Sequence, residues 1–299
     1  MENYISGPNL KTVMPKKDGI EIRLLTTSDL TAAMRLKELA GWNQTEGDWR
    51  RLLHFGPQGC FAACLGGRLI GTVTTATYGT DLAWIGMMLV SPDYRRQGIG
   101  TALMQAALDY LRGIGVVSIK LDATAVGRPL YESLGFIAEG LIERWEGVAP
   151  LVKKKNLALI TETTRSAVYA LDRQAFGADR RSWLDALMAG SPVGPLRAMS
   201  SADRLVGYGL MRPGSRAFYV GPVIARSKEA ALSLFDGLLS QLAGEKVYLD
   251  FNTGFGSGPE MLANRGFVKQ RDLIRMRFGI ENQAGRSNLI FSIAGPEMG

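Results

Sequence analysis

The chain has 299 residues, 46% hydrophobic and 21% charged, with a mean hydropathy of +0.02. At about 100–200 residues per domain this length points to two domains, and the composition excludes a mostly disordered chain. The second half holds the whole net charge of +7, with 20 Lys/Arg against 13 Asp/Glu over 151–299 and 12 against 13 over 19–150.

No run approaches about 18 consecutive apolar residues, so no membrane partner is expected. The polar, Pro/Gly-punctuated arm 1–18 lacks the apolar stretch of a secretory signal, so a cytoplasmic protein is expected. Cys60, Cys64 and the single His54 make neither a disulfide framework nor a zinc site, so no metal is expected. The two thiols read as small buried side chains on a strand. The basic residues of the second half are scattered apart from Lys153–Lys155, which reads as a solvated linker. No nucleic-acid partner is expected, whereas an acidic small substrate or a phosphate group suits such a charge.

Taken in chain order, Glu21 to Leu25 alternates as a short strand, and Thr27-Ser28-Asp29 signals the start of a helix running to Ala40. Strands 59–65 and 69–77 are joined by Gly66-Gly67, a hairpin signal. A third apolar run, 81–90, ends at Ser91-Pro92. Residues 101–112 have helical spacing, 116–121 is a strand, 129–134 a short helix stopped by Gly135, and 137–144 a last strand. The second half repeats this plan, with strands at 157–160, 205–211, 217–223, 246–251 and 273–278 and helices at 180–189, 228–243 and 259–264. The repeat registers Ile119-Lys120-Leu121-Asp122 on Tyr248-Leu249-Asp250, and Leu134-Gly135-Phe136 on Arg265-Gly266-Phe267. Two copies of a domain-sized unit are predicted, since solenoid periods are far shorter. The divisions are an arm at 1–18, a first domain at 19–148, a second at 156–280 and a tail at 281–299. The tail's Leu289-Ile290-Phe291 could add a strand or cover an interface.

The segment that carries chemistry is Val90-Ser91-Pro92-Asp93-Tyr94-Arg95-Arg96-Gln97-Gly98-Ile99-Gly100-Thr101. A strand stops at proline, a turn carries two arginines and two alternate glycines, and a helix begins at once. Unpaired N–H groups and the positive dipole end at a helix start can hold phosphate oxygens, and the glycines allow close approach and positive φ. A plain strand-to-helix loop is the competing reading. No Gly-Lys-Ser/Thr closes the turn, which excludes a P-loop. Leu103 stands where a dinucleotide fingerprint needs its third glycine.

These residues resemble the acetyl-CoA signature of the GCN5-related N-acetyltransferases (GNAT), and Leu130-Tyr131-Glu132-Ser133-Leu134-Gly135-Phe136 is similar to that family's second hallmark. The resemblance covers the first half throughout, and residues 156–280 are similar to the degenerate partner domain of tandem members. It implies an α/β (α+β) protein of two GNAT-like domains, each a mixed central sheet flanked by helices. By the same resemblance, main-chain N–H groups of Gln97, Gly98, Ile99 and Gly100, with Thr101, hold the diphosphate of acetyl-CoA, and Arg95 and Arg96 lie beside it. Main-chain groups of Met88, Leu89 and Val90 pair with the pantetheine arm like an added strand. Tyr131 points its hydroxyl at the thioester sulfur, as a phenol able to donate a proton to a departing thiolate; the alternative is a half-buried structural aromatic. Where the family often has an asparagine after the fifth strand, this chain has Thr124.

In the second copy Ala225 to Ala231 has lost both glycines, Glu229 at the helix start repels phosphate, and Leu262 falls where Tyr131 stands. One CoA per chain is therefore expected. Trp84 is a candidate wall of the acceptor site, although core packing is its other reading. Asp250 and Asn252 are candidates for a pocket, with turn opening and helix capping as the other role of Asn252. A general base does not stand out among Glu21, Asp81 and Asp122. The reading is an acetyl-CoA-dependent N-acetyltransferase acting on a primary amine, small-molecule or peptide, by direct attack. The second domain shapes the acceptor pocket or a homodimer. The alternative is a non-catalytic acyl-CoA sensor whose second domain binds a partner.

Overall fold

The computed structural model describes residues 19–151, 157–191, 194–199, 204–256, 258–281 and 285–299. The arm 1–18 and the lysine run lie outside them. In the first half, strand β1 (Ile20–Leu24) leads to helices α1 (Leu30–Leu39) and α2 (Glu46–Phe55). Strands β2 (Phe61–Leu65), β3 (Arg68–Tyr78) and β4 (Leu82–Val90) follow. Helix α3 (Ile99–Gly113), β5 (Ser118–Ala123), α4 (Arg128–Ser133) and β6 (Ile137–Val148) complete the half. The second half runs through the same order: β7 (Ala158–Leu159), α5 (Glu162–Phe176), α6 (Arg181–Ala189), β8 (Leu196–Met199), β9 (Leu205–Arg212), β10 (Phe218–Ala225), α7 (Lys228–Leu239), β11 (Lys246–Asn252), α8 (Gly258–Ala263) and β12 (Val268–Gly279). The tail adds β13 (Ile290–Ser292).

Three elements lie beyond those expected from the sequence pattern. Helix α2 starts at a capping box, in which the Thr45 N–H and hydroxyl both donate to Asp48 at 2.8 and 2.9 Å. It buries Trp49, Leu52 and Leu53, a stripe that the adjacent charges hide from a simple apolar count. Helix α5 begins at a second threonine capping box, Thr161 with Thr164, and β8 is a four-residue strand. Strand β12 also begins five residues earlier than its apolar pattern, because Val268 to Asp272 is mostly polar yet continues the ladder.

Among the described residues both mixed sheets join into one of thirteen strands, in the order β1-β2-β3-β4-β5-β12-β6-β11-β13-β10-β9-β8-β7. Each half sends its last strand toward the other. Strand β12 lies between β5 and β6, and β6 lies between β12 and β11. The register sets Arg275 opposite Asp122 and Arg144 opposite Asp250. Arg275 donates to both oxygens of Asp122 at 2.9 and 3.0 Å, and Arg144 to both oxygens of Asp250 at 2.8 and 2.6 Å. Both aspartate side chains are 0% exposed.

The cores follow the same exchange. On one face, α3 and α4 cover the first-half strands, with Leu103, Met104, Leu108 and Tyr131 packed on Ile85, Ile119 and Met276 of β12. On the opposite face a shared core draws on α1, α2, α5 and α6 together, with Phe55 on Trp183 at 4.6 Å and Tyr78 on Phe176 at 4.8 Å. Helix α7 and the second-half strands form a third core with Phe291 of the tail. Cys60 and Cys64 are buried, and His54 is exposed on α2. Among the described residues no helix is long and apolar enough to cross a membrane.

The interleaved strands make a prediction. A chain ending at residue 150 lacks β12, leaving the edge of β5 open and Asp122 without its cation, and is expected to be insoluble or unfolded by circular dichroism. In the full chain Arg275→Met strands a buried carboxylate and is expected to cost about 3–5 kcal/mol in urea unfolding.

Candidate functional site

Strands β4 and β5 are parallel neighbours at Ala83–Ile119 and Trp84–Lys120. Beyond those pairs no ladder joins them. Within β4 the register against β3 shifts between Thr72 and Thr74, Met87 takes φ +47°, and the Thr72 hydroxyl donates to the Met87 carbonyl at 2.8 Å. An extra residue of this kind bends a strand. Here it coincides with a cavity of about 750 Å³ between the two strands. Met87 to Val90 form one wall, Leu121, Asp122 and Thr124 the other, and Leu130 and Tyr131 of α4 close one side. The main chain of Met88, Leu89 and Val90 thus presents to the gap a strand edge that β5 does not cover.

The turn expected to bind phosphate continues from that wall. Arg95 lines the cavity, and its Nε donates to the Val90 carbonyl at 3.2 Å. Arg96 has φ +59° and Gly98 φ +80°, with Gly98 as N-cap of α3. The first-turn N–H groups of α3 have no acceptor within the helix. Gln97 holds the turn through its side chain, which donates to the Asp93 carbonyl at 3.3 Å. Arg96, Gln97, Gly98 and Thr101 are exposed, and Ile99 anchors the helix in the core. A Cβ on Gly100 would lie 3.1 Å from Met88 Cε and 3.2 Å from Leu130 Cδ2, so a side chain there intrudes on the cavity wall.

Tyr131 is 9% exposed, and its hydroxyl makes no hydrogen bond among the described residues. Burial pushes the phenol up to about 12, which keeps its proton in place at neutral pH. The Thr124 hydroxyl accepts the Gly127 N–H at 3.2 Å, so it shapes the turn into α4 as well as lining the cavity. The side chain of Asp122 is tied to Arg275.

Trp84, Asp250 and Asn252 do not line the cavity. Trp84 is 1% exposed, donates to the Pro296 carbonyl at 3.2 Å and stacks against the Arg275 guanidinium. Asp250 is consumed by Arg144 and by the Tyr219 hydroxyl at 3.1 Å. Asn252 donates to the Ser287 carbonyl at 2.8 Å and accepts the Gly254 N–H at 3.2 Å, which is the turn-opening role.

Sequence reasoning missed the far wall. Trp42 and Gln44 from the α1–α2 connection, Arg144 of β6, Arg271 and Leu273 of β12, and Glu297 of the tail all reach the cavity. The tail crosses from the second half to lie on β4, where a Cβ on Gly86 would come within 2.6 Å of Glu297 Cα. Burial raises the Glu297 carboxyl, which accepts from Gln44 at 2.8 Å and from Arg212 at 2.9 Å. One signal for the shared wall was present: Arg144 and Arg275 stand 131 positions apart, as do Gly135 and Gly266.

The second copy contains the same gap, closed. Strands β10 and β11 are parallel neighbours at Phe218–Val247 and Tyr219–Tyr248, and β10 is likewise irregular against β9 between Val220 and Val223. Past those pairs β13 inserts, bonded to β10 at Val223 and Ile224 and to β11 at Phe251. Phe291 packs on Phe235, Phe251 and Phe255. Ser227 caps α7 by accepting the Ala230 N–H at 3.2 Å, and the exposed Glu229 carboxyl is held down by its own N–H and by Ser227.

Residues 25–136 match the acetyltransferase (GNAT) family and residues 168–292 the acetyltransferase (GNAT) domain. An uncharacterized N-acetyltransferase of Bacillus subtilis, YitH, is 28% identical over 83% of this chain and 88% of its own length. The ribosomal protein bS18-alanine N-acetyltransferase of Salmonella typhimurium is 32% identical over 38% of this chain and 79% of its own length. A Pyrococcus horikoshii crystal structure assigned to the acetyltransferases superposes with a TM-score of 0.82 at 23% identity, covering 96% of this chain and 98% of that one. A GCN5-related N-acetyltransferase of Sphaerobacter thermophilus superposes with a TM-score of 0.67 at 17% identity, covering 90% and 99%. With both halves matched and the two-copy fold shared, the chain belongs to the GCN5-related N-acetyltransferase superfamily as a tandem member, and is an N-acetyltransferase.

Proposed function

We propose that the protein transfers the acetyl group of acetyl-CoA to a primary amine, using one donor site per chain in the first half. The observation that carries this reading is the gap between β4 and β5, open from the Arg95–Gly100 turn to Tyr131. Its counterpart between β10 and β11 holds an extended segment of the chain itself. A gap of this shape takes an extended arm paired to the β4 edge, and the diphosphate falls at the N-terminus of α3, where unpaired N–H groups and the helix dipole favour it. Capping of α7 and insertion of β13 deny the second half a donor.

The acceptor nitrogen attacks the thioester carbonyl carbon directly as a neutral amine. The new C–N bond forms, the C–S bond breaks, and Tyr131 supplies a proton to the departing sulfur. Neither cysteine lines the cavity, and burial pushes the Cys60 thiol up to about 12, which argues against an acyl-cysteine route. The carboxylates that line the cavity are each tied to a cation or an amide: Asp122 to Arg275, Asp272 to Lys269, and Glu297 to Arg212 and Gln44. The proton shed by the amine therefore passes to water in the opening, which also restores the phenol.

Two outcomes test this. Gly98→Val forces a branched residue into a left-handed conformation, at a cost of about 1–3 kcal/mol, and Gly100→Val fills the wall beside Met88. Together they are expected to abolish acetyl-CoA binding in calorimetry, and unchanged affinity would refute the assigned cradle. Tyr131→Phe is expected to lower kcat by about a hundredfold or more with the KM for acetyl-CoA nearly unchanged. Because the phenol is raised to about 12, the wild-type rate should show no alkaline loss from this group between pH 7 and pH 10.

A further inference from the structure

The second half puts an uncompensated cation into the acceptor wall. Arg271 of β12 lines the cavity directly across the strand pair from Arg144. Two guanidinium groups thus stand side by side, and the carboxylate on the far side of Arg144, Asp250, is already taken by Arg144 and Tyr219. Arg271 makes no ion pair or hydrogen bond among the described residues, and its Nε is buried without a partner. Arg165 and Arg277 also have Nε atoms without a hydrogen bond, but both keep ion pairs, Arg165 with Glu162 and Arg277 with Glu139, and Arg197 lies on β8 away from the cavity. The neighbouring Asp272 carboxylate is 49% exposed and held by Lys269 at 3.1 Å. Burial and the Arg144 charge both push the Arg271 guanidinium down from its ordinary value, and the more distant Asp250 offsets this only in part.

The turn assigned to the donor's phosphates and this group lie on opposite faces of the sheet. Alternate residues of β12 face opposite sides of the sheet. Ile274 packs toward the α3 and α4 face, where the phosphate turn opens. Leu273 joins the shared core on the other face, and Arg275 stacks on Trp84 there. Arg271 has the parity of Leu273 and Arg275, and so lies on the face opposite the phosphate turn. A planar, permanently charged fork with a free edge matches the oxygens of a carboxylate or a phosphate.

Resting on the reading that this cavity acetylates an amine, we infer that the acceptor carries a second, anionic group, a carboxylate or a phosphate, received by Arg271. The degenerate half thereby selects the substrate on which the first half acts.

Product-class probes test this by calorimetry on CoA-saturated protein. A panel of N-acetyl amino acids is titrated beside the matching N-acetyl carboxamides and N-acetylaminoethyl phosphate. The inference expects the acids or the phosphate to bind about tenfold to hundredfold more tightly than the amides, and the stronger anion identifies the source. Arg271→Gln is expected to erase that preference while CoA affinity, the control for folding, stays as in wild type. Equal binding of acids and amides, no binding by any anion, or a preference that survives Arg271→Gln overturns the inference. The comparison within wild type needs no variant. If CoA itself fails to bind, the donor reading falls instead, and the same acid-against-amide titration on the unliganded chain still decides the role of Arg271.

Discussion

The reciprocal exchange of β6 and β12 is the constraint on which the molecule depends. Asp122 and Asp250 sit at matching places in the two copies, and each takes its arginine from the strand that ends the other copy. Buried pairs of this kind add little net stability over well-packed apolar residues, because desolvation offsets attraction, but a lone survivor is strongly destabilising. They therefore act as a register lock. A slip of either strand by one residue would turn its arginine to the opposite face and leave a carboxylate alone in the core.

That lock ties the second copy, which lacks the glycine turn, to the first. The second copy contributes both backbone and side chains to the cavity. Strand β12 seals the edge of β5 and supplies Arg271 and Leu273 to the far wall beside Arg144 of β6, and the tail lays Glu297 across β4. Helices α5 and α6 close the core that α1 and α2 cannot close alone. The net charge of the second half is thus not all spread over its surface, since Arg271 faces the cavity between β4 and β5.

The two gaps show how one geometry can be kept open or closed. Splayed parallel strands expose main-chain donors and acceptors that must find partners. In the second copy the chain answers with Ile290–Ser292 and seals it with Phe291. In the first copy the corresponding edge at Met88 to Val90 borders the cavity, and the helix start beside it carries glycine instead of a capping serine and a glutamate. A gap filled by the chain in one copy and left open in the other is a difference of local residues on a common frame.

The sequence by itself determined the repeat, the order of most elements and the glycine turn that opens α3, because these rest on local patterns: hydrophobic period, Gly and Pro punctuation, and the Arg95–Gly100 spacing. It also carried the loss of that turn at Ala225–Ala231. Helix α2 escaped because its inward stripe is broken up by Arg50, Arg51 and His54, and the start of β12 escaped because Val268 to Asp272 reads as a loop. Only the tertiary structure decided that Asp250 faces Arg144 rather than a ligand, that Trp84 lies beneath the tail, and that Arg271 and Glu297 meet the cavity from 140 or more positions beyond Tyr131. Such contacts depend on which strand pairs with which, and pairing is set by global packing and charge satisfaction that no local window contains.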